Sequence, residues 1–133
     1  MNKDQLLENI ELNSPPSTLE IENFLNKFDF SIDPDYLEFL RVHDGGEGFL
    51  TNNNFISLWT VSDLLDMNPY YDHDHFCDNV IILGSNGSDI AYGMTKIDHT
   101  YFYAPYIGMS EEVKYLGNSF WTFLEKISDA SFM

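Results

Sequence analysis

Positive charge is what this chain of 133 residues has least of: Lys3, Lys27, Arg41, Lys96, Lys114 and Lys126 stand against 22 acids, for a formal net charge of −16. From Val42 through Thr95 there is no lysine or arginine, while Asp44, Glu47, Asp63, Asp66, Asp72, Asp74, Asp78 and Asp89 all fall in that window. A field of this sign repels phosphate, so direct binding to nucleic acid or to an anionic membrane is not expected. It attracts basic protein surfaces instead and speeds their association in a salt-dependent way. Cysteine is almost absent too. With Cys77 alone no intramolecular disulfide can form, and a single cysteine ahead of an apolar run reads as a packing residue. No apolar run approaches the roughly 20 residues that span a bilayer, and "MNKDQLLENIEL" has neither the basic start nor the apolar core of a signal peptide. The expected setting is the reducing cytoplasm.

Aromatic residues are what the chain has in abundance: 11 Phe, 8 Tyr and 2 Trp, within 44% hydrophobic residues. A chain of this length and composition can bury a core without metal or disulfide staples, and a single domain over residues 1–133 is expected. "DQLLENIEL" places Leu6, Leu7 and Ile10 at helical spacing. "STLEIENFLNKF" follows as an amphipathic helix, with Ser17 and Glu20 in capping-box positions and Leu19 or Ile21, Phe24, Leu25 and Phe28 along a stripe. "IDPDYLEFLRVHDGG" predicts a helix with Asp33 as N-cap and Pro34 at its first position, stopped where Gly45 or Gly46 supplies a left-handed conformation. "GFL" and "NFISLW" read as a hairpin, and "TVSDLLDMN" as a short helix with Ser62 as its candidate cap. "VIILG", "IAYGMT" and "TYFYAPY" read as three consecutive antiparallel strands, and "NSFWTFLEKI" as a closing helix with Phe120, Phe123, Leu124 and Ile127 on one face. This order predicts an α+β fold, a mainly antiparallel sheet with N-terminal and C-terminal helices packed against it.

Few segments carry recognisable chemistry. "ILGSNGSDIAYG" has the glycines of a phosphate loop but no lysine beside it and a strand, not a helix, after it; Asp89 would repel an anion. It reads as a β-turn with Gly87 or its neighbours at positive φ and Asp89 capping nearby amides. "DHDHFCD", Asp72 to Asp78, holds ligand-competent side chains, but no third ligand is fixed by spacing and no HExxH or CxxC accompanies it, so it reads as a solvated polar loop. Neither a metal nor a cofactor is expected, and no nucleophile motif is present to name a catalytic residue. Trp59, flanked by Leu58 and Val61, reads as a packed strand residue. Tyr70 and Tyr71, beside Pro69 in a polar stretch, read as interface anchors.

Three segments in order, "IDPDYLEFLRVHDGGEGF", "NFISLWTVSDLLDMNPYY" and "VIILGSNGSDIAYGM", followed by "YIGMSEEVKYLGNSFWTFLEKI", resemble the SUKH superfamily from about Ser17 to Ile127. That superfamily includes the yeast cell-wall synthesis regulators and many bacterial proteins. Ser88 stands where members often show another glycine. The resemblance implies an α+β fold and a non-enzymatic immunity protein that binds and inhibits a cognate polymorphic toxin, commonly a nuclease or deaminase. A nuclease presents cations to phosphate, so an acidic inhibitor can dock over its cleft and needs no chemistry of its own. Glu47, Asp66, Asp72, Asp74 and Asp89, with Tyr70 and Tyr71 as aromatic anchors, are the residues expected to form that partner-binding face, on a monomer or weak homodimer. The competing readings are a regulatory module that binds a small ligand or a cellular protein, and a metal-dependent enzyme built around Asp72 to Asp78.

Overall fold

The computed structural model describes residues 3–27, 30–50, 54–71 and 78–129. Helix α1 (Lys3–Leu7) is shorter than its apolar spacing predicts, because Ile10 belongs to strand β1 (Ile10–Leu12). There it faces Gly48 across an antiparallel pair. The three residues "IEL" alternate apolar, polar, apolar, and that period of two prevails over the helical pattern upstream. Helix α2 (Thr18–Lys27) begins with the expected capping box, in which the Glu20 N–H donates to Ser17 Oγ at 3.1 Å and the Ser17 N–H to Glu20 Oε1 at 2.9 Å. Helix α3 (Pro34–Val42) has Asp33 as N-cap, accepting from the Asp35 N–H at 3.3 Å, and Pro34 in its first turn, where a missing N–H costs nothing. After the extended His43, Gly45 takes φ +72°, and a methyl there would overlap the Leu58 carbonyl oxygen.

Strands β2 (Gly46–Phe49) and β3 (Phe55–Leu58) form the expected hairpin. Its end is tied to the rest of the molecule by buried Asn54, whose carbonyl accepts from the Leu50 N–H at 2.8 Å and whose side-chain amide donates to the Ile127 carbonyl at 2.8 Å. Helix α4 (Val61–Met67) is capped by Thr60, not by Ser62: Thr60 Oγ1 accepts from the Asp63 N–H at 3.0 Å. Thr60 leaves the strand with extended backbone, the conformation an N-cap needs, whereas Ser62 already lies inside the helix. A 3-10 turn (Asn68–Tyr71) follows, then β4 (Val80–Ser85), β5 (Ile90–Thr95), β6 (Tyr101–Pro105), a second 3-10 turn (Met109–Glu111), β7 (Lys114–Tyr115) and α5 (Phe120–Asp129). Ser119 Oγ caps α5 by accepting from the Thr122 N–H at 3.1 Å.

The seven strands lie in sequence order, every neighbouring pair antiparallel. The fold is therefore α+β, with helices flanking the sheet. Its inner face carries Ile10, Ile56, Leu58, Ile81, Leu83, Tyr92, Met94 and Tyr101 into one core with the apolar stripes of the helices. At the centre of that core the fully buried Phe120 and Phe123 of α5 meet Tyr36 (5.3 Å between ring centroids), Phe39 (5.1 Å) and Tyr101 (5.0 Å). Burial of each such ring contributes about 2–3 kcal/mol. The Tyr101 hydroxyl donates to Asp33 Oδ2 at 2.6 Å, so the N-cap of α3 is also fastened to β6. Burial, and then that bond to Asp33, hold the Tyr101 phenol far above its ordinary pKa.

Candidate partner-binding face

The outer face of the sheet changes character along its width, and the strand register shows where. One row across it runs from Glu11 to Glu47, Ser57, Ser85, Ala91 and Ala104, each directly opposite the next on the neighbouring strand. Over β4 to β6 the row is of small side chains, and an apolar second cluster forms there from Val80, Ile82, Ala91, Phe102, Ala104 and Met109, covered by Trp59, Tyr71, Tyr106 and Val113. Over β1 to β3 the row is acidic and polar, and Glu11 and Glu47 are exposed.

What holds the cover in place is Asn68. β3 pairs with β4 only at Ser85 and Gly84, and the β4 register shifts between Ile82 and Gly84. At Gly84 a Cβ would overlap the Ser57 carbonyl, so glycine is what lets the strands approach. On this side of Ile82 the buried Asn68 side chain stands in for a strand. It accepts from the Ile82 N–H at 2.7 Å and donates to the Ile82 carbonyl at 3.0 Å and the Leu64 carbonyl at 2.8 Å. The 3-10 turn that carries Tyr70 and Tyr71 is thereby fixed over the sheet. Tyr71 then stacks between Trp59 (6.1 Å, rings 28° apart) and Tyr106 (4.9 Å, 34°). The Tyr106 N–H donates to the Asp89 carbonyl at 3.0 Å, and burial raises its phenol, against a lowering contribution from a hydrogen bond with Ser85.

Beside this aromatic ladder the outer face sinks into a concavity of about 300 Å³ whose walls include Glu11, Glu47, Asp63, Trp59, Ser57 and Thr60. No lysine or arginine among the described residues lines it. Asp44 sets its rim. One Asp44 carboxylate oxygen accepts from the Val61 N–H at 2.7 Å, and its backbone carbonyl accepts from the Asn13 side-chain amide at 2.8 Å, joining the end of β1 to the start of α4. Burial raises the Asp44 carboxyl above its ordinary pKa. The bond from Val61 opposes this, while the negative charges of Glu20 and Asp63 add to it.

Of the residues expected to form a binding face, the structure brings Glu47 to the concavity and Tyr71 to the ladder. Tyr70 is next to the ladder and 73% exposed, and Asp89 is joined to it through Tyr106. Asp66 lies elsewhere, in a separate recess between α2 and α4 with Glu20 and Lys27. Asp72 and Asp74, like His73, His75 and Cys77, lie outside the described residues. Trp59 packs against both apolar clusters as expected, but it is also among the residues that line the concavity. Glu11 and Asp63 are the residues that sequence reasoning missed. The signal for Glu11 was the alternation of "IEL", hidden behind a helical reading of the segment before it. The glycine-rich turn is a turn, with Gly87 at φ +82°. Its amides are capped by Asn86, however, which accepts from the Ser88 N–H at 2.9 Å and the Ile90 N–H at 3.1 Å. The Asp89 carboxylate instead accepts from the Asn86 side-chain amide at 3.2 Å, because Asn86 precedes the turn and reaches back over it.

Among the described residues no group of three or more His, Cys, Asp or Glu is arranged to hold a metal, and no helix is long and apolar enough to cross a membrane. A comparison with curated proteins gave no match. The family model of the SMI1 / KNR4 family (SUKH-1) matches residues 15–126, from just before α2 into α5, with α1 and β1 preceding the matched region. With a family match over most of its length and the sheet-and-helix architecture described above, the chain belongs to the SMI1 / KNR4 family (SUKH-1).

Proposed function

We propose that this chain is a non-enzymatic immunity protein, which binds a cognate bacterial toxin of basic surface, a nuclease, and blocks it by covering the cleft that receives phosphate. The observation that carries this reading is the outer sheet face: a concavity with three acidic side chains and no described lysine or arginine, flanked by the Trp59–Tyr71–Tyr106 ladder. Family membership supports it. Charge of one sign on a recessed surface speeds the encounter with a cationic cleft, and exposed aromatic side chains beside it supply the slow-dissociating anchor. In this reading Glu47, Tyr70, Tyr71 and Asp89 are contact residues together with Glu11 and Asp63, in a protein of the cytoplasm. Asp66, Asp72 and Asp74 extend the same negative field.

The test is co-expression with the product of the neighbouring reading frame in a host that this product kills. Restored growth and a co-purifying complex are expected. Continued killing in the presence of the folded chain would overturn the reading.

A further inference from the structure

Among the described residues the outer sheet face is only half covered. Over β4 to β6 the 3-10 turns and their aromatic side chains close it, while over β1 to β3 the described residues leave Glu11, Glu47 and Phe49 exposed. We infer that this open half receives an arginine side chain from a basic protein partner, its guanidinium seated among Glu11, Glu47 and Asp63 and its plane against the Trp59 indole. The inference rests on the reading of the chain as an inhibitor of a basic toxin and specifies the group that enters the site.

Four features select this occupant. First, Glu11 and Glu47 are directly opposite on adjacent antiparallel strands, an arrangement of like charges that opposes pairing unless a cation is shared between them. Second, the concavity of about 300 Å³ lies at the lower end of the range for ligand sites, about 300–1,000 Å³, which suits one side chain rather than a nucleotide or a folded loop. Third, its polar lining includes Ser57 and Thr60 with the three acids, so an apolar anchor would leave carboxylates desolvated and unpaired. Fourth, Trp59 lines the concavity and its ring belongs to the adjoining outer-face aromatic ladder. A guanidinium is planar, weakly hydrated and carries five donors in a fork, so it can bridge carboxylates on two strands while stacking on a ring. An ammonium is a compact, strongly hydrated charge that gains less from the aromatic surface. Continuity with the ladder places Tyr71 and the exposed Tyr70 beside the entering side chain, where the backbone that carries it would pass.

The experiment uses the full chain, labelled with nitrogen-15, and a capped glycyl-arginyl-glycine tripeptide as probe, with the neutral citrulline counterpart as control. Saturable shifts of the Glu11, Glu47, Ser57 and Thr60 amides and of the Trp59 indole N–H are expected with the arginine probe and not with citrulline. The E47Q/D63N variant should bind the probe at least about 10-fold more weakly. E47Q/D63N, which removes the charge facing Glu11, should keep the melting temperature and the amide spectrum of the parent chain away from the site, so that its loss of binding is not loss of fold. Absence of saturable shifts, shifts confined to other residues, or equal binding of citrulline would overturn the inference. A second arm uses the toxin itself. If growth rescue occurs and the triple variant E11Q/E47Q/D63N rescues as well as the parent, the arginine site is overturned while the immunity reading stands. Probe binding at these residues without rescue supports the site and overturns the parent reading.

Discussion

Tyr36 carries the one described buried side-chain oxygen or nitrogen without a hydrogen-bond partner, its hydroxyl, in the aromatic core where α3 meets α5. Burial, with a further contribution from the charge of Asp44, pushes its phenol well above the ordinary value, so it is neutral at any pH the protein tolerates. An unpaired buried hydroxyl costs about 1–3 kcal/mol. Tyr36→Phe removes the cost and keeps the ring, so a gain of about 1 kcal/mol in urea unfolding is expected; a loss of stability would mean that the hydroxyl has a partner. Asp44 gives a second single-residue expectation. Its carboxyl pKa is raised by burial and by Glu20 and Asp63, so the native state binds the proton more tightly than the unfolded chain. Stability contributed by this group therefore rises as pH falls through the folded-state value toward about pH 4 and is lost as pH rises. Asp44→Asn keeps an acceptor for the Val61 N–H and removes the charge. Since the side chain is only partly buried, screening limits the gain at pH 7 to about 0.3–0.5 kcal/mol, and the gap to the parent chain should close near pH 4. A gap that widens on acidification would show the sign to be wrong.

Between elements, the decisive device is Asn68, which supplies β4 with the donor and acceptor that a strand would otherwise provide. Asn68→Ala strands a buried N–H and carbonyl on Ile82. A loss of about 2–4 kcal/mol is expected, with release of Tyr71 from Trp59 read as a change in indole fluorescence or near-ultraviolet circular dichroism. An unchanged aromatic signal would mean that the 3-10 turn is held by something else. This device was not legible in the sequence. "MNPYY" announces a break after a helix, and nothing local tells that its asparagine will be spent on a strand many residues downstream. What was legible is what is local. The capping box of α2, the Asp33-Pro34 start of α3, the β2–β3 hairpin and the stripe of α5 all follow from neighbours within about four residues. The misses have local competition as their cause. Ile10 fits the helical spacing of Leu6 and Leu7 as well as it fits a three-residue strand, and Thr60 and Ser62 are both competent caps until the end of β3 is known. Glu47 was recoverable from its place in the acidic, cation-free window, although the strand read beside it began only at Gly48. Glu11 and Asp63 became site residues only when β1, β2 and the start of α4 were brought together around one concavity.

For the whole molecule the governing property is charge. A net −16 costs the folded state self-repulsion, most plainly at the Glu11–Glu47 pair, and an oppositely charged partner relieves it. In the proposed function that partner docks on the outer face of β1 to β3, beside the aromatic ladder. Electrostatic steering leaves a kinetic signature, since the association rate of a complex formed this way falls as salt is added, whereas dissociation depends on buried contacts. The most direct measurement is stopped-flow association of the chain with the purified neighbouring-frame product, from low to physiological salt, for the parent chain and for Glu47→Lys. Glu47→Lys is expected to associate about 10-fold more slowly at low salt and to lose much of the salt dependence. Association at the same rate and with the same salt dependence in both would contradict the assignment of this face to the partner.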